Sequence, residues 1–210
     1  MIKLTYVLAT LALTLALDSG SIHAQTSSDE SRKVALKLIT DTCSTCHGSQ
    51  GRSISPLFPN LAGQTSTYIV AQLQSFKSHS RSDPDAVAFM WGIASQLNDD
   101  VIYALADYYS SQRPATPVSA DALMIARGEQ IYNQGLSADG VAPCAACHGQ
   151  QAVGINTFPR LAGQHAQYTL KQLTAIKANL RESSVMRTAV LGLKDQDMTA
   201  IAYYLQAVGS

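Results

Sequence analysis

Two stretches, Cys43-Ser-Thr-Cys46-His47 and Cys144-Ala-Ala-Cys147-His148, hold all four cysteines of this 210-residue chain. Each spells C-x-x-C-H, the attachment signature of c-type haem. On a helical turn the two thiols fall on one side, where each adds to a vinyl group of the porphyrin, and the next residue turns an imidazole towards the iron. A chain of this composition would carry one such motif by chance in on the order of two per thousand sequences, and two far more rarely. A structural zinc site pairs its C-x-x-C units at short separation, whereas 96 residues lie between His47 and Cys144. A thioredoxin-like motif would follow a strand in a βαβ pattern, and none is visible. Plain disulfides are the remaining rival for an exported chain. The reading is two covalently bound haem c groups, one on Cys43/Cys46 and one on Cys144/Cys147.

The N-terminus reads Met1-Ile-Lys3, an apolar run from Leu4 to Leu17, then Ile22-His23-Ala24 before Gln25. That is the order of charge, apolar core and small-residue cleavage site in a secretory signal. Residues 1–24 are accordingly expected to be removed, in keeping with a periplasmic destination. A retained anchor is the alternative, although the run is shorter than the 18 or more residues a span needs. No later segment is long and apolar enough to cross a bilayer. Fifteen basic residues balance fifteen acidic ones, and no polybasic run points to nucleic acid or anionic lipid. Residues 25–112 hold six Lys/Arg against eight Asp/Glu, and residues 120–210 hold seven against six, too mild an asymmetry for strong steering.

The segments Phe58 to Lys77 and Phe158 to Lys177 share ten of twenty residues at a constant offset of 100, so the chain is a tandem duplication. The haem motifs sit at an offset of 101, and Met90 to Tyr108 aligns with Met186 to Tyr204 at 96. Between the halves, Ser110 to Ser119 contains Pro114 and Pro117 and few apolar residues, which marks a linker. The expected layout is domain 1 over 25–112, linker 113–119 and domain 2 over 120–210. Domains of about 90 residues have marginal peptide cores, and a large apolar ring at the centre of each would supply the missing buried surface.

Both halves read as helical. Apolar residues recur at helical intervals over Arg32 to Thr42 and Ala122 to Gln134 ahead of each haem motif, and over Tyr68 to Phe76 and Tyr168 to Ile176 after it. Asn98-Asp99-Asp100 and Lys194-Asp195-Gln196-Asp197 supply caps and acids suited to the start of each closing helix. Gly51, Gly63, Gly154 and Gly163 fall in the loops between.

One axial position at each iron belongs to His47 or His148, and function turns on the other. Met90 and Met186 match across the duplication, each seven residues ahead of a leucine, Leu97 or Leu193. They are assigned as distal ligands, with core filling as the alternative. His79 and His165, the competing donors, do not occupy matching positions. A thioether favours ferrous iron and raises the potential, and two filled axial sites exclude substrate and dioxygen. The second nitrogen of each histidine needs an acceptor, a backbone carbonyl by expectation, and Pro59 and Pro159 sit where that loop could pack. Arg81 and Arg181, matched at 100, are candidates to pair with haem propionates, or else lie on a solvated surface. Trp91 has Arg187 as its counterpart and reads as packing; Tyr108, Tyr109, Tyr203 and Tyr204 read as core or haem-edge contacts.

Taken together, the two C-x-x-C-H motifs, the two F-P-x-L-A-G-Q-x-x-x-Y-x-x-x-Q-L blocks and the paired methionines resemble the cytochrome c4 family over nearly all of the chain after residue 24. The resemblance implies an all-α fold of two tandem class I cytochrome c domains related by a pseudo-twofold, each wrapping one haem with His/Met ligation and propionates inward. Two departures stand out: a longer stretch before Cys144 than before Cys43, and uneven spacing ahead of the two methionines. The resemblance further implies an electron shuttle rather than an enzyme. Its expected donor is a quinol-oxidising complex or a dehydrogenase, and its acceptor a terminal oxidase. Two rivals stay open: a haem subunit permanently bound to a dehydrogenase, and a dihaem enzyme with one labile ligand.

Overall fold

The computed structural model describes residues 19–209, with side chains from Ser28 onward. The expected signal peptide, residues 1–24, lies mostly outside the described residues. The fold begins with α1 (Ser19–Leu38), which passes through a π turn (Ile39–Cys43) directly into the short α2 (Ser44–His47). There follow α3 (Ser66–Lys77), a second π turn (Ala86–Met90), α4 (Trp91–Ala94) and α5 (Asp99–Ser110). The second half runs α6 (Ala122–Gln134), α7 (Ala145–His148), α8 (Ala166–Lys177), α9 (Ser184–Val190) and α10 (Asp195–Ala207). Among the described residues strand pairing is limited to two isolated bridges, Leu136 with Val141 and Ile155 with Phe158. None of these helices is long and apolar enough to cross a membrane.

Each closing helix is the spine of its half. α5 packs on α1 and α3, and α10 packs on α6 and α8. Their starts are fixed by the expected side chains: Asn98 Oδ1 accepts the Val101 N–H at 2.9 Å, and the Asp197 carboxylate accepts the Lys194 N–H at 3.3 Å while pairing with Arg127 at 3.0 Å. Val101, Ile102, Leu105 and Tyr109 from α5 meet Ala35 and Ile39 of the first helical run. Ile201, Tyr204 and Leu205 from α10 meet Ile131 and Tyr132 of α6. The tyrosines read as core residues divide accordingly: Tyr109 and Tyr204 are buried, whereas Tyr203 is exposed.

The α6/α10 crossing depends on one missing methyl group. A Cβ added to Gly128 would lie 2.1 Å from the Ala200 carbonyl oxygen and 2.6 Å from Tyr204 Cβ. Helix propensity alone would favour alanine there by about 1 kcal/mol. A clash with backbone outweighs that, and Gly128→Ala is expected to lower stability by about 1–3 kcal/mol, read as a leftward shift of the denaturant midpoint with an unchanged slope.

Both departures noted in the sequence have structural causes. α1 reaches its haem motif without a break, while α6 stops at Gln134 and a loop closed by the Leu136–Val141 bridge intervenes. That loop puts Val141 into the core of domain 2, so the extra residues are packed. Ahead of the methionines, the first half spends Asp83 to Met90 on an N-terminal turn and a π turn, whereas α9 starts two residues before Met186.

The halves meet through reciprocal bonds between duplicated residues. The Asn60 N–H donates to Gln164 Oε1 at 2.9 Å, and Gln164 Nε2 donates back to the Asn60 carbonyl at 3.0 Å. The Arg160 N–H donates to Gln64 Oε1 at 2.7 Å, and Gln64 Nε2 donates to the Arg160 carbonyl at 2.9 Å. Since 60 corresponds to 160 and 64 to 164, each contact is the image of the other, the mark of an isologous twofold arrangement. Removing both amides, Gln64→Ala with Gln164→Ala, strands six backbone groups, the Thr65 and His165 N–H groups among them, at about 1–3 kcal/mol apiece if they stay dry. The expected result is separate unfolding of the halves and faster proteolysis between Ser110 and Ala122.

Candidate haem-binding site

α2 and α7 present the motif side chains. Cys43 and Cys144 occupy the N-cap positions, Cys46/His47 and Cys147/His148 the following turn, and Gly48 and Gly149, both at positive φ, stop the helix. The halt is enforced sterically in the first half, where a Cβ on Gly48 would lie 1.9 Å from the Arg52 carbonyl oxygen. The chain then wraps back so that proline carbonyls reach the histidines. His47 Nδ1–H donates to the Pro59 oxygen at 3.0 Å, and His148 Nδ1–H donates to the Pro159 oxygen at 3.1 Å. A carbonyl only accepts, so the proton sits on Nδ1 and the Nε2 lone pair is free to bind a metal.

His148 Nε2 is buried with no hydrogen-bond partner, an arrangement that costs free energy in a plain core and suits an axial ligand. Burial pushes the pKa of both imidazoles below its usual value, offset in part by their carbonyl acceptors; the neutral form is the one that ligates. Burial likewise raises both leading thiols, Cys144 to about 11. Phe58 and Phe158 set their rings edge-on to His47 and His148, with centroids 6.3 and 6.0 Å apart.

All of this faces one cavity of about 850 Å³ that runs between the two halves. Its wall brings together Cys43, Cys46, His47 and Met90 from the first half with Cys144, Cys147, His148 and Met186 from the second. The rest is chiefly apolar, including Leu97 and Leu193, the leucines that follow the methionines. His79 and His165 do not line it. His79 stacks on Trp91 at 4.0 Å, and His165 Nε2 bonds the Ser53 carbonyl across the interface at 2.9 Å. Trp91 donates its Nε1–H to the Arg81 carbonyl at 2.8 Å, a packing role.

Arg81 and Arg181 also reach this wall, and neither lies on a solvated surface. Arg81 Nη1 and Nη2 donate to Gln72 and Gln172 at 2.6 and 2.9 Å, and Arg181 Nη1 and Nη2 donate to Gln172 and Gln72 at 2.8 and 3.1 Å. Arg81 Nε further donates to Asp83, and Arg181 Nη2 to the Tyr68 hydroxyl. Each guanidinium thus makes three hydrogen bonds against five N–H donors. The roles of Asn60, Gln64, Tyr68 and Gln72 escaped the sequence reading. Their signal was their identity or placement in the repeated block, which marks a duplicated residue without saying what it touches.

Among the described residues no three His, Cys, Asp or Glu side chains converge as a metal cluster. The motif cysteines on a helical turn, the orphaned imidazole nitrogen and the chiefly apolar cavity fit a covalently held haem in each half. Such a pair of helical domains defines a dihaem c-type cytochrome.

Known proteins agree. A family model for cytochrome c matches residues 35–112 and 125–209. Cytochrome c4 of Azotobacter vinelandii is 36% identical over 213 residues, covering 96% of this chain and 98% of that one. The crystal structure of reduced recombinant cytochrome c4 from Pseudomonas stutzeri superposes with a TM-score of 0.76 at 33% identity, covering 87% of this chain and 98% of that one. A thiosulfate dehydrogenase electron acceptor of Thiomonas intermedia is 34% identical, covering 79% of this chain and 78% of its own. This chain belongs to the cytochrome c4 family. It is an all-α tandem of two class I cytochrome c domains, with one haem c attached through Cys43/Cys46 and one through Cys144/Cys147.

Proposed function

We propose that this protein is a periplasmic shuttle that carries single electrons from a quinol-oxidising complex or a dehydrogenase towards a terminal oxidase. In this reading residues 1–24 are a cleaved signal, domain 1 spans 25–112, the linker 113–119 and domain 2 120–210. The bound haem supplies a ferric/ferrous couple at each site. His47 with Met90, and His148 with Met186, would hold the iron of each haem, while Arg81 and Arg181 would offer their spare N–H donors to the propionates. The observation that carries the reading is the single apolar cavity walled by both His/Met pairs. With both side-chain ligands in place substrate and dioxygen would be kept off the metal, and a rigid helical frame would keep reorganisation small, which suits outer-sphere transfer.

Stopped-flow mixing of the reduced protein with oxidase-containing membranes tests this. A free monomer oxidised at a rate that rises with membrane concentration is expected. The second reading, an electron-accepting subunit, is favoured by the likeness to the thiosulfate dehydrogenase electron acceptor. Purification in a stoichiometric complex with a dehydrogenase, and no exchange with free oxidase, would replace the shuttle by the subunit.

A further inference from the structure

Tyr109 carries a buried hydroxyl that the polypeptide leaves unsatisfied. The residue is 2% exposed, it lines the cavity, and its hydroxyl has no hydrogen-bond partner. Other buried tyrosines on the same wall are served: the Tyr132 O–H donates to the Gly149 carbonyl at 2.6 Å, and the Tyr68 oxygen accepts from Arg181 at 2.6 Å. A dry phenol without an acceptor is destabilising, and phenylalanine would fill the same space without that penalty.

The duplication shows that the surroundings make room for this ring. The matching residue in domain 2 is Leu205, in the same backbone setting: the Tyr109 carbonyl accepts the Gly63 N–H at 2.9 Å, as the Leu205 carbonyl accepts the Gly163 N–H at 2.8 Å. Opposite the side chain, Gly51 corresponds to Ala152, both at positive φ. The Gly51 carbonyl accepts the Leu61 and Ala62 N–H groups, and the Ala152 carbonyl those of Leu161 and Ala162. A Cβ on Gly51 would lie 2.7 Å from Tyr109 Cδ1. Tyrosine therefore goes with glycine in domain 1, as leucine goes with alanine in domain 2.

What the ring brings into the pocket is a hydroxyl beside Cys43. Cys43 packs against the core cluster that contains Tyr109, and both line the cavity. Burial raises the pKa of the Cys43 thiol and the Tyr109 hydroxyl draws it back down. Burial, and after it the Cys43 sulfur, raise that of the phenol, which keeps its proton. A free thiol is both a weak donor and a weak acceptor. Addition across the haem vinyl group moves the thiol hydrogen to carbon and leaves a sulfur with lone pairs only, so the phenol is then the sole donor of the two.

We propose that Tyr109 is a positioning residue for the domain 1 haem: its O–H donates to the Cys43 thioether sulfur and fixes that bridge against α5. Domain 2 makes no such contact, having Leu205 at the matching position and the Tyr132 O–H committed to Gly149. The proposal rests on haem attachment at Cys43 and not on which partners the protein serves. A hydrogen bond at the sulfur draws electron density from the C–S bond, a spectroscopic effect that packing alone does not produce.

Resonance Raman spectra of the holoprotein and of Tyr109→Phe test it, once mass spectrometry has counted the haems in both. In the wild type one thioether C–S stretching band is expected to shift on exchange into deuterium oxide. In Tyr109→Phe that shift is expected to vanish, with the domain 2 bands unmoved. Stability supplies a readout of opposite sign for the two explanations. Loss of a bond to sulfur is expected to raise the unfolding equilibrium constant of domain 1 by about two- to tenfold, whereas removal of an idle hydroxyl would lower it. C–S bands that ignore deuterium in the wild type, bands in Tyr109→Phe identical to those of the wild type, or a gain in stability each overturn the role of Tyr109. If Tyr109→Phe does not mature with two haems, the wild-type deuterium shift decides alone. A wild-type protein without haem on Cys43 overturns the attachment instead.

Discussion

Replacing Cys43 and Cys46 by alanine is expected to unfold domain 1, not merely to bleach it. The sites share a cavity of about 850 Å³, and without its haem the apolar wall of domain 1 loses its packing partner. A typical domain has about 5–15 kcal/mol in total, and a domain of about 90 residues has little core to spare. The buried core left to domain 1 is small: Ala35, Ile39, Ile69, Leu97 and the inner face of α5, with a separate cluster of Phe76, Ala86 and Ala94. Circular dichroism of the double variant, matured in a host able to attach haem, should show one haem retained and roughly half of the cooperative helical melt lost. Undiminished helical signal and an unshifted midpoint would show that domain 1 holds its fold without haem.

The second large effect belongs to the methionines. With Met90 and Met186 proposed as the distal ligands, Met90→Ala and Met186→Ala are each expected to abolish the ferric methionine-to-iron charge-transfer band of one site. Loss of the thioether removes its preference for ferrous iron. The potential of that site should fall by on the order of 0.2 V, within the about 0.8 V range that axial ligation spans. Cyanide should then bind rapidly to the oxidised variant and slowly to the wild type. An unchanged spectrum in either variant would remove that methionine from the ligand set. The differing backbone around the two, a π turn at Met90 and regular helix at Met186, leaves this expectation unaltered, because both side chains line the same cavity.

The helices were legible because apolar period and capping residues agree: α6 spans Ala122–Gln134, as its periodicity predicts, and Asn98 caps α5 through its own side chain. The start of α1 was not. Its pattern reads from Arg32, while the helix is described from Ser19, where neighbours with exposed side chains, such as Asp29 and Glu30, give no apolar stripe to follow. The π turns escaped too, since one extra residue per turn changes which face a side chain meets without changing composition. The C-x-x-C-H motifs announced the cofactor, and the need of each histidine for an acceptor pointed to a loop carbonyl. That it comes from Pro59 and Pro159 follows only once the loop is folded. The partners of Arg81 and Arg181 were hidden for a deeper reason. Three of their six hydrogen bonds cross between halves, and a period in the sequence shows that two units are alike, not how they dock.

The most direct test of the account is a coulometric titration of the purified protein, with the electrons taken up counted per chain. Two electrons, entering in two reversible single-electron steps with the haem spectrum following each, is the predicted result. Uptake of one electron or none per chain, or a single concerted two-electron step, would contradict it.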